Sequence, residues 1–221
     1  MKKIVVNFAK DGREHYIRGA VRLGKSLKET NPDVLFMSYI DEYPNGCPTH
    51  EQVPYAFKYH CMQKEWGYAD LLLWLDASVV VKRSMTPIWD HIQRHGVFIV
   101  ENQGMYESVY TSVDCLRMLG CSWERARDMV QCCGGVVGFD THDPRAKAVF
   151  NRMLALSKDG VSFQGKSGST APEFVAHRHD QSCLTIVAAD AKIPTVPLNT
   201  WLCYKGSKAE KDAILVLEGI A

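Results

Sequence analysis

The sequence predicts an α/β protein: one domain, residues 1–221, built on an open, mostly parallel sheet flanked by helices, with a Rossmann-like nucleotide-binding half. Three observations predict it. Short β-branched runs alternate with segments of helical period, the pattern of parallel strands joined by crossover helices. One stretch, LLLWLDASVVV at 71–81, is almost continuously apolar, as a strand buried on both faces must be. A length of 221 residues with 46% hydrophobic composition fits one sizeable core.

Residues 4–9 form a short β-branched run, and 14–30 follow with Ile17, Val21, Leu23 and Leu27 at helical spacing. Residues 33–41 read as a second strand, stopped by the turn-rich PNGCPTH, and 55–66 as a helix. After the strand at 71–81, Pro87 opens a helix to His95, and 97–100 is a further strand. Residues 114–129 are helical by composition, 134–139 are an apolar strand after a glycine pair, and 144–156 are a periodic helix. The segment 157–173, with three glycines and few apolar residues, reads as a flexible loop, either a lid over the site that brings Lys166 to a phosphate or a passive linker. Residues 179–189 are a last helix, and 201–206 a terminal strand or turn.

Lys plus Arg number 26 against 25 Asp plus Glu, which leaves no charge excess for gripping a nucleic acid. No apolar run reaches the 18 or so residues of a membrane span, and the N-terminus turns polar too early for a signal peptide, so a soluble, cytoplasmic protein is expected. The eight cysteines contain no C-x-x-C pair and sit mostly in apolar stretches, the usage of buried free thiols in a reducing compartment. G-x-S-x-G, G-x-x-x-x-G-K-[ST] and G-x-G-x-x-G are all absent, which removes the α/β-hydrolase, P-loop kinase and Rossmann dehydrogenase readings. His91 and His95 lack a nearby acid and are read as a solvated helix face.

Open α/β sheets bind ligands beyond the carboxyl ends of their strands, so Asp76, which follows LLLWL, is the leading candidate. A carboxylate there is costly to bury alone, and a divalent cation or a dense set of donors removes the cost; the alternative is an Asp that ends the strand or caps a helix.

The order of these signals resembles the nucleotide-sugar glycosyltransferases of the A-type fold. Leu72-Leu73-Trp74-Leu75-Asp76-Ala77-Ser78 fits their relaxed D-x-D motif at the end of an apolar strand. The resemblance implies that Asp76, Ala77 and Ser78 meet the donor, that Asp76 and Ser78 hold manganese or magnesium, and that Lys58 on the preceding helix points toward the donor. Gly134 and Gly135 open a block similar to the glycine-containing strand of these enzymes; a tight turn or close strand packing is the alternative. His177-Arg178-His179-Asp180-Gln181-Ser182 is similar to the Asp-Gln element of retaining enzymes of the glycogenin and lipopolysaccharide galactosyltransferase type, which implies catalytic roles for Asp180 and Gln181; Asp180 also suits a helix N-cap.

Two positions depart from the family pattern. Cys203 stands where retaining members carry a metal-binding His, and Ser78 offers a neutral hydroxyl in place of a second carboxylate, so weak metal affinity is expected. Lys205 or Lys208 would then supply positive charge to the diphosphate, unless these lysines are simply solvated. The implied activity is hexosyltransferase-like, from a nucleoside diphosphate sugar to a carbohydrate or other hydroxyl acceptor. A weak or inactive member that only binds nucleotide or glycan is the alternative, and a scaffold presenting Tyr106 and Tyr110 to a partner is a third reading.

Overall fold

The computed structural model describes residues 1–10, 14–167 and 172–219. β1 (Lys3–Ala9) is followed by α1 (Glu14–Thr30), β2 (Leu35–Ile40), α2 (Phe57–Glu65), β3 (Leu71–Leu75), β4 (Val79–Val81) and α3 (Thr86–His95). Next come β5 (Val97–Tyr106), α4 (Glu107–Tyr110), α5 (Val113–Met118), α6 (Trp123–Arg127), β6 (Val130–Asp140), α7 (Pro144–Leu156), α8 (Asp180–Asp190), β7 (Leu202–Tyr204) and β8 (Leu215–Leu217). No helix among the described residues is long and apolar enough to cross a membrane.

Five strands form the main sheet in the order β2-β1-β3-β6-β5. β1 is parallel to β2 and β3, and β6 is antiparallel to both its neighbours, so β6 alone is reversed. The sheet is mostly parallel, as expected.

β3 lies at its centre, and its period of two sorts the core. Leu72 and Trp74 face one layer with Tyr59 and Met62 of α2, Phe150 of α7 and Leu184 of α8. Leu71, Leu73 and Leu75 face the other with Leu23 and Leu27 of α1 and Ile88 and Ile92 of α3. Burying each such leucine contributes about 2 kcal/mol, which explains why this strand was so plain in the sequence.

The structure corrects three boundaries. The apolar run 71–81 is two strands: the chain turns at Asp76 to Ser78, and β4 joins a second sheet of order β4-β8-β7. The helix expected over 114–129 is broken at Gly120, whose φ of 64° takes the chain out of helical space and separates α5 from α6. The strand expected over 97–100 runs on to Tyr106, held to β6 across an irregular register at Glu101 and Tyr106. The histidine reading is corrected too. His91 is half-buried with its ring 5.6 Å from those of Phe98 and Trp201, and burial pushes it down to about 4. All eight cysteines are free, and all but Cys47 are buried.

Candidate active site

Asp76 sits one residue past the carboxyl end of β3, its N–H donating to the Gly135 carbonyl at 2.9 Å. Residues two apart share a strand face, so the Trp74 indole reaches forward and donates to Asp76 Oδ1 at 2.6 Å. The Val79 N–H donates to the Asp76 carbonyl, closing the turn that starts β4.

Lys58 enters from α2 with its side chain 3% exposed. Its ammonium donates to the Gly134 carbonyl at 2.7 Å and lies 3.0 Å from Asp180 Oδ2 and 3.4 Å from Asp76 Oδ1. One buried cation therefore bridges the two carboxylates that the sequence placed far apart. Burial alone would push this ammonium down, yet the Asp180 and Asp76 charges win and hold it above the ordinary lysine value, so it stays protonated. Asp180 moves up: its complete burial outweighs the pull of Lys58. The ring of Tyr55, 5.0 Å from the ammonium, adds a cation–π contact.

Gly135 and Gly134 explain how the strand reaches this cluster. A Cβ on Gly135 would stand 3.3 Å from Asp76 Oδ2, and one on Gly134 would stand 3.2 Å from Cβ of Gln181. The Gly134 N–H donates to Gln181 Oε1 at 3.3 Å. A side chain at either position would crowd the acids, so glycine suits the close approach of β6 to Asp76 and to the start of α8. Asp180 is the first residue of α8, preceded by His179 at φ 55°.

Two clefts meet at Asp76 and Tyr55. The first is lined by aromatic rings, including Phe8, Tyr43, Tyr55, Phe57 and Trp74, together with Ala77 and Ser78. The second is polar and is lined by Lys58, Gly134, Gly135, Asp180 and Gln181 together with Asn102 and Tyr204. Sequence reasoning missed the aromatic wall, because its rings come from a strand end, a turn-rich loop and a helix start with no shared period. It also missed Asn102 and Tyr204, joined by a 2.9 Å hydrogen bond. Tyr55 at φ 62° and His179 at φ 55° are both in the left-handed region and their rings lie 5.5 Å apart, so two strained residues flank the polar cleft.

Lys205 lies outside the lining of both clefts; it is 63% exposed and 3.7 Å from Glu218. Cys203 is buried with Ala213 and Val216, which leaves its thiol among apolar neighbours. No group of three His, Cys, Asp or Glu side chains suited to a metal occurs among the described residues. Asp76 and Ser78, a carboxylate and a hydroxyl of the kind that binds hard cations, both line the aromatic cleft, and a cation there would take its remaining ligands from phosphate and water.

Of the 157–173 segment, 168–171 lie outside the described residues. Phe163 is fully buried, and His179 Nδ1 and His177 Nε2 bond the carbonyls of Phe163 and Ser162 at 2.7 and 2.9 Å. The N–H groups of Val161, Ser162, Gln164 and Gly165 are all bonded. Hydrogen exchange is therefore expected to be slow at these four amides without any ligand. Fast exchange there would show that the histidine anchors do not persist in solution.

No family model and no curated protein matches the chain. Solved structures do. The apo WbbM bifunctional glycosyltransferase superimposes with a TM-score of 0.58 at 12% identity over 97% of this chain, which spans 45% of that longer protein. Apo mouse xyloside xylosyltransferase 1 gives 0.58 at 10% identity, covering 99% of this chain and 98% of that one. The galactosyltransferase LgtC, solved in complex with donor and acceptor sugar analogs, gives 0.50 at 13% identity, covering 97% and 86%. The chain thus has an A-type glycosyltransferase fold. At these identities the likeness defines fold and leaves substrate open.

Proposed function

We propose that the protein transfers a glycosyl group, a hexose, from a nucleoside diphosphate sugar to a hydroxyl acceptor. The observation that carries this reading is the Lys58 ammonium between Asp76 and Asp180, set where an aromatic cleft meets a polar one. Flat rings suit a nucleobase, and the polar cleft suits sugar hydroxyls. Asp76 and Ser78 would hold the diphosphate through a magnesium or manganese ion, which, when bound, offsets charge on the leaving group. Asp180 accepts from sugar hydroxyls, and Gln181 lies beside the anomeric carbon. With retention, the C1–O bond to the diphosphate breaks, the acceptor oxygen bonds C1 on the same face, and its proton passes to the departing phosphate. The buried free thiols fit a reducing, cytoplasmic setting.

A thermal-shift panel of nucleoside diphosphates and their sugars, with and without manganese, tests the reading: at least one should raise the Tm. No shift with any nucleotide would sink it. Because Lys58 already compensates the acidic pair and Ser78 is neutral, a member that binds without turnover is the rival, separated by measuring release of nucleoside diphosphate from the donor.

Ser78→Asp is expected to tighten manganese binding, roughly tenfold for one added anionic ligand, since Ser78 lines the cleft next to Asp76. Calorimetry reads the change. Unchanged affinity in a folded mutant would place the side chain at 78 away from the cation.

A further inference from the structure

Lysine and arginine each contribute one side chain to the lining of the polar cleft, Lys58 and Arg178. Lys58 is committed to the Gly134 carbonyl and to Asp76 and Asp180. Arg178 is exposed, and among the described residues its guanidinium has neither a hydrogen-bond acceptor nor a paired carboxylate. The backbone that carries it is nevertheless fixed. The Arg178 N–H donates to the Tyr110 carbonyl at 3.0 Å, and the Arg178 carbonyl accepts from the Gln181 N–H at 3.1 Å. His177 on one side is held by the Ser112 N–H at 3.2 Å and by the Ser162 carbonyl, and His179 on the other by the Phe163 carbonyl. Their rings lie 5.3 Å apart. Burial pushes His177 down to about 4, so it clamps as a neutral ring. A charge carried on a clamped segment costs less ordering when a ligand uses it.

Tyr204 and Asn102 line the cleft with Arg178. The Tyr204 hydroxyl donates to Asn102 Oδ1 at 2.9 Å, so its lone pairs stay available to a donor. Burial raises this hydroxyl and the Arg178 charge acts against the rise, which puts the guanidinium within electrostatic reach of it. Arg178, Tyr204 and Asn102 line the polar cleft alone, whereas Asp76 and Tyr55 line both clefts. In the proposed reaction the rings take the nucleobase, Asp76 and Ser78 take the diphosphate, and Asp180 and Gln181 take the donor sugar. The acceptor is left for the remaining lining. A guanidinium is a planar fork that matches the two oxygens of a carboxylate or phosphate, and with Lys58 compensating both acids it has no competitor among the described residues. We propose that the acceptor is an anionic sugar, its carboxylate or phosphate held by Arg178 in the polar cleft. This rests on the glycosyl-transfer reading for what enters the cleft and adds the charge of the acceptor.

The test compares sugars that differ in charge. Glucose, glucuronate and glucose 6-phosphate are titrated into protein alone and into protein saturated with a nucleoside diphosphate and manganese. The Arg178 Nε–H signal is followed in proton–nitrogen spectra and assigned by Arg178→Lys. At least one anionic sugar should move that signal and bind about tenfold more tightly than glucose, the scale of one charge-assisted bidentate contact. Acetate and inorganic phosphate should bind about tenfold more weakly than the anionic sugars, because they lack the ring that fills the cleft. Arg178→Gln should abolish the preference and leave nucleoside diphosphate affinity near its wild-type value. Arg178→Lys, which keeps the charge and loses the fork, should retain part of the preference. Equal binding of glucose and both anionic sugars, acetate or phosphate binding as tightly as the sugars, or a preference that survives Arg178→Gln would each overturn the proposal. Weakened nucleoside diphosphate binding in Arg178→Gln would overturn it too, by putting the guanidinium on the leaving diphosphate. If no nucleotide binds, the glycosyl-transfer reading fails on that result, and the titration of protein alone still decides whether Arg178 selects a charged sugar.

Discussion

Replacing Lys58 by methionine is expected to remove about 3–5 kcal/mol of folding stability, the cost of leaving a buried carboxylate without its partner. Methionine keeps the length of the stem and fills the same space, so the loss is chiefly one of charge. Asp180 is 5% exposed at its side chain and faces Lys58 at 3.0 Å, whereas Asp76 is 31% exposed and can turn to water. The penalty falls mainly on Asp180. Its carboxyl is already raised by burial, and loss of Lys58 raises it further. A raised acid destabilises as pH climbs from the unfolded value, about 3.9, through the folded one. The gap between mutant and wild type should therefore be small in acid and widen toward neutrality. Urea denaturation at a series of pH values reads this. A second change, Asp180→Asn, should recover much of the loss, since the orphaned charge is then gone. A gap that stays flat with pH, or a double mutant no more stable than the single one, would mean that the triad is held by packing alone.

Legibility of the fold followed burial. β3 was plain because both its faces meet helices, so every residue in it is apolar. What followed it was hidden by the same composition: VVV continues the apolar run, and only the polar interruption Asp76-Ala77-Ser78 marks where the chain leaves one sheet for another. β7 falls inside the terminal strand or turn read at 201–206, whereas β8, three residues long, carries too little alternation to be read alone. The far half of β5, ENQGMY, is polar and is a strand because β6 lies beside it. That is a fact about tertiary structure, and local propensity does not contain it.

The site divided along another line. Asp76 was singled out because it ends an apolar strand, and Gly134, Gly135, Asp180 and Gln181 through a family likeness. The structure brings these five together with Lys58 at one cleft. Their pairing was invisible, since no periodicity links α2 to the start of α8. Lys58, expected to point toward the donor, lines the polar cleft and there donates to the Gly134 carbonyl and pairs with the two acids.

Asp76→Asn should do the reverse of the lysine change, sparing the fold and removing the chemistry. Asn is nearly isosteric, and its side-chain oxygen still accepts from the Trp74 indole, the 2.6 Å bond that fixes the rotamer. Lys58 keeps Asp180 and the Gly134 carbonyl, so its ammonium stays partnered. Stability should change by less than about 1 kcal/mol, in keeping with the partial exposure of Asp76. Turnover of a nucleoside diphosphate sugar should fall by about 10²–10³-fold, the scale on which loss of one electrostatic contact to a developing charge is felt. Nucleoside diphosphate binding in the presence of manganese should weaken too, while binding without metal should be little altered, because Asp76 is proposed to meet the phosphates through the cation. Donor hydrolysis, calorimetry with and without manganese, and circular dichroism separate these effects. Turnover at the wild-type rate in a folded Asp76→Asn protein would show that this carboxylate only closes the turn after β3. Full loss of metal-free binding would instead place it on the nucleoside itself.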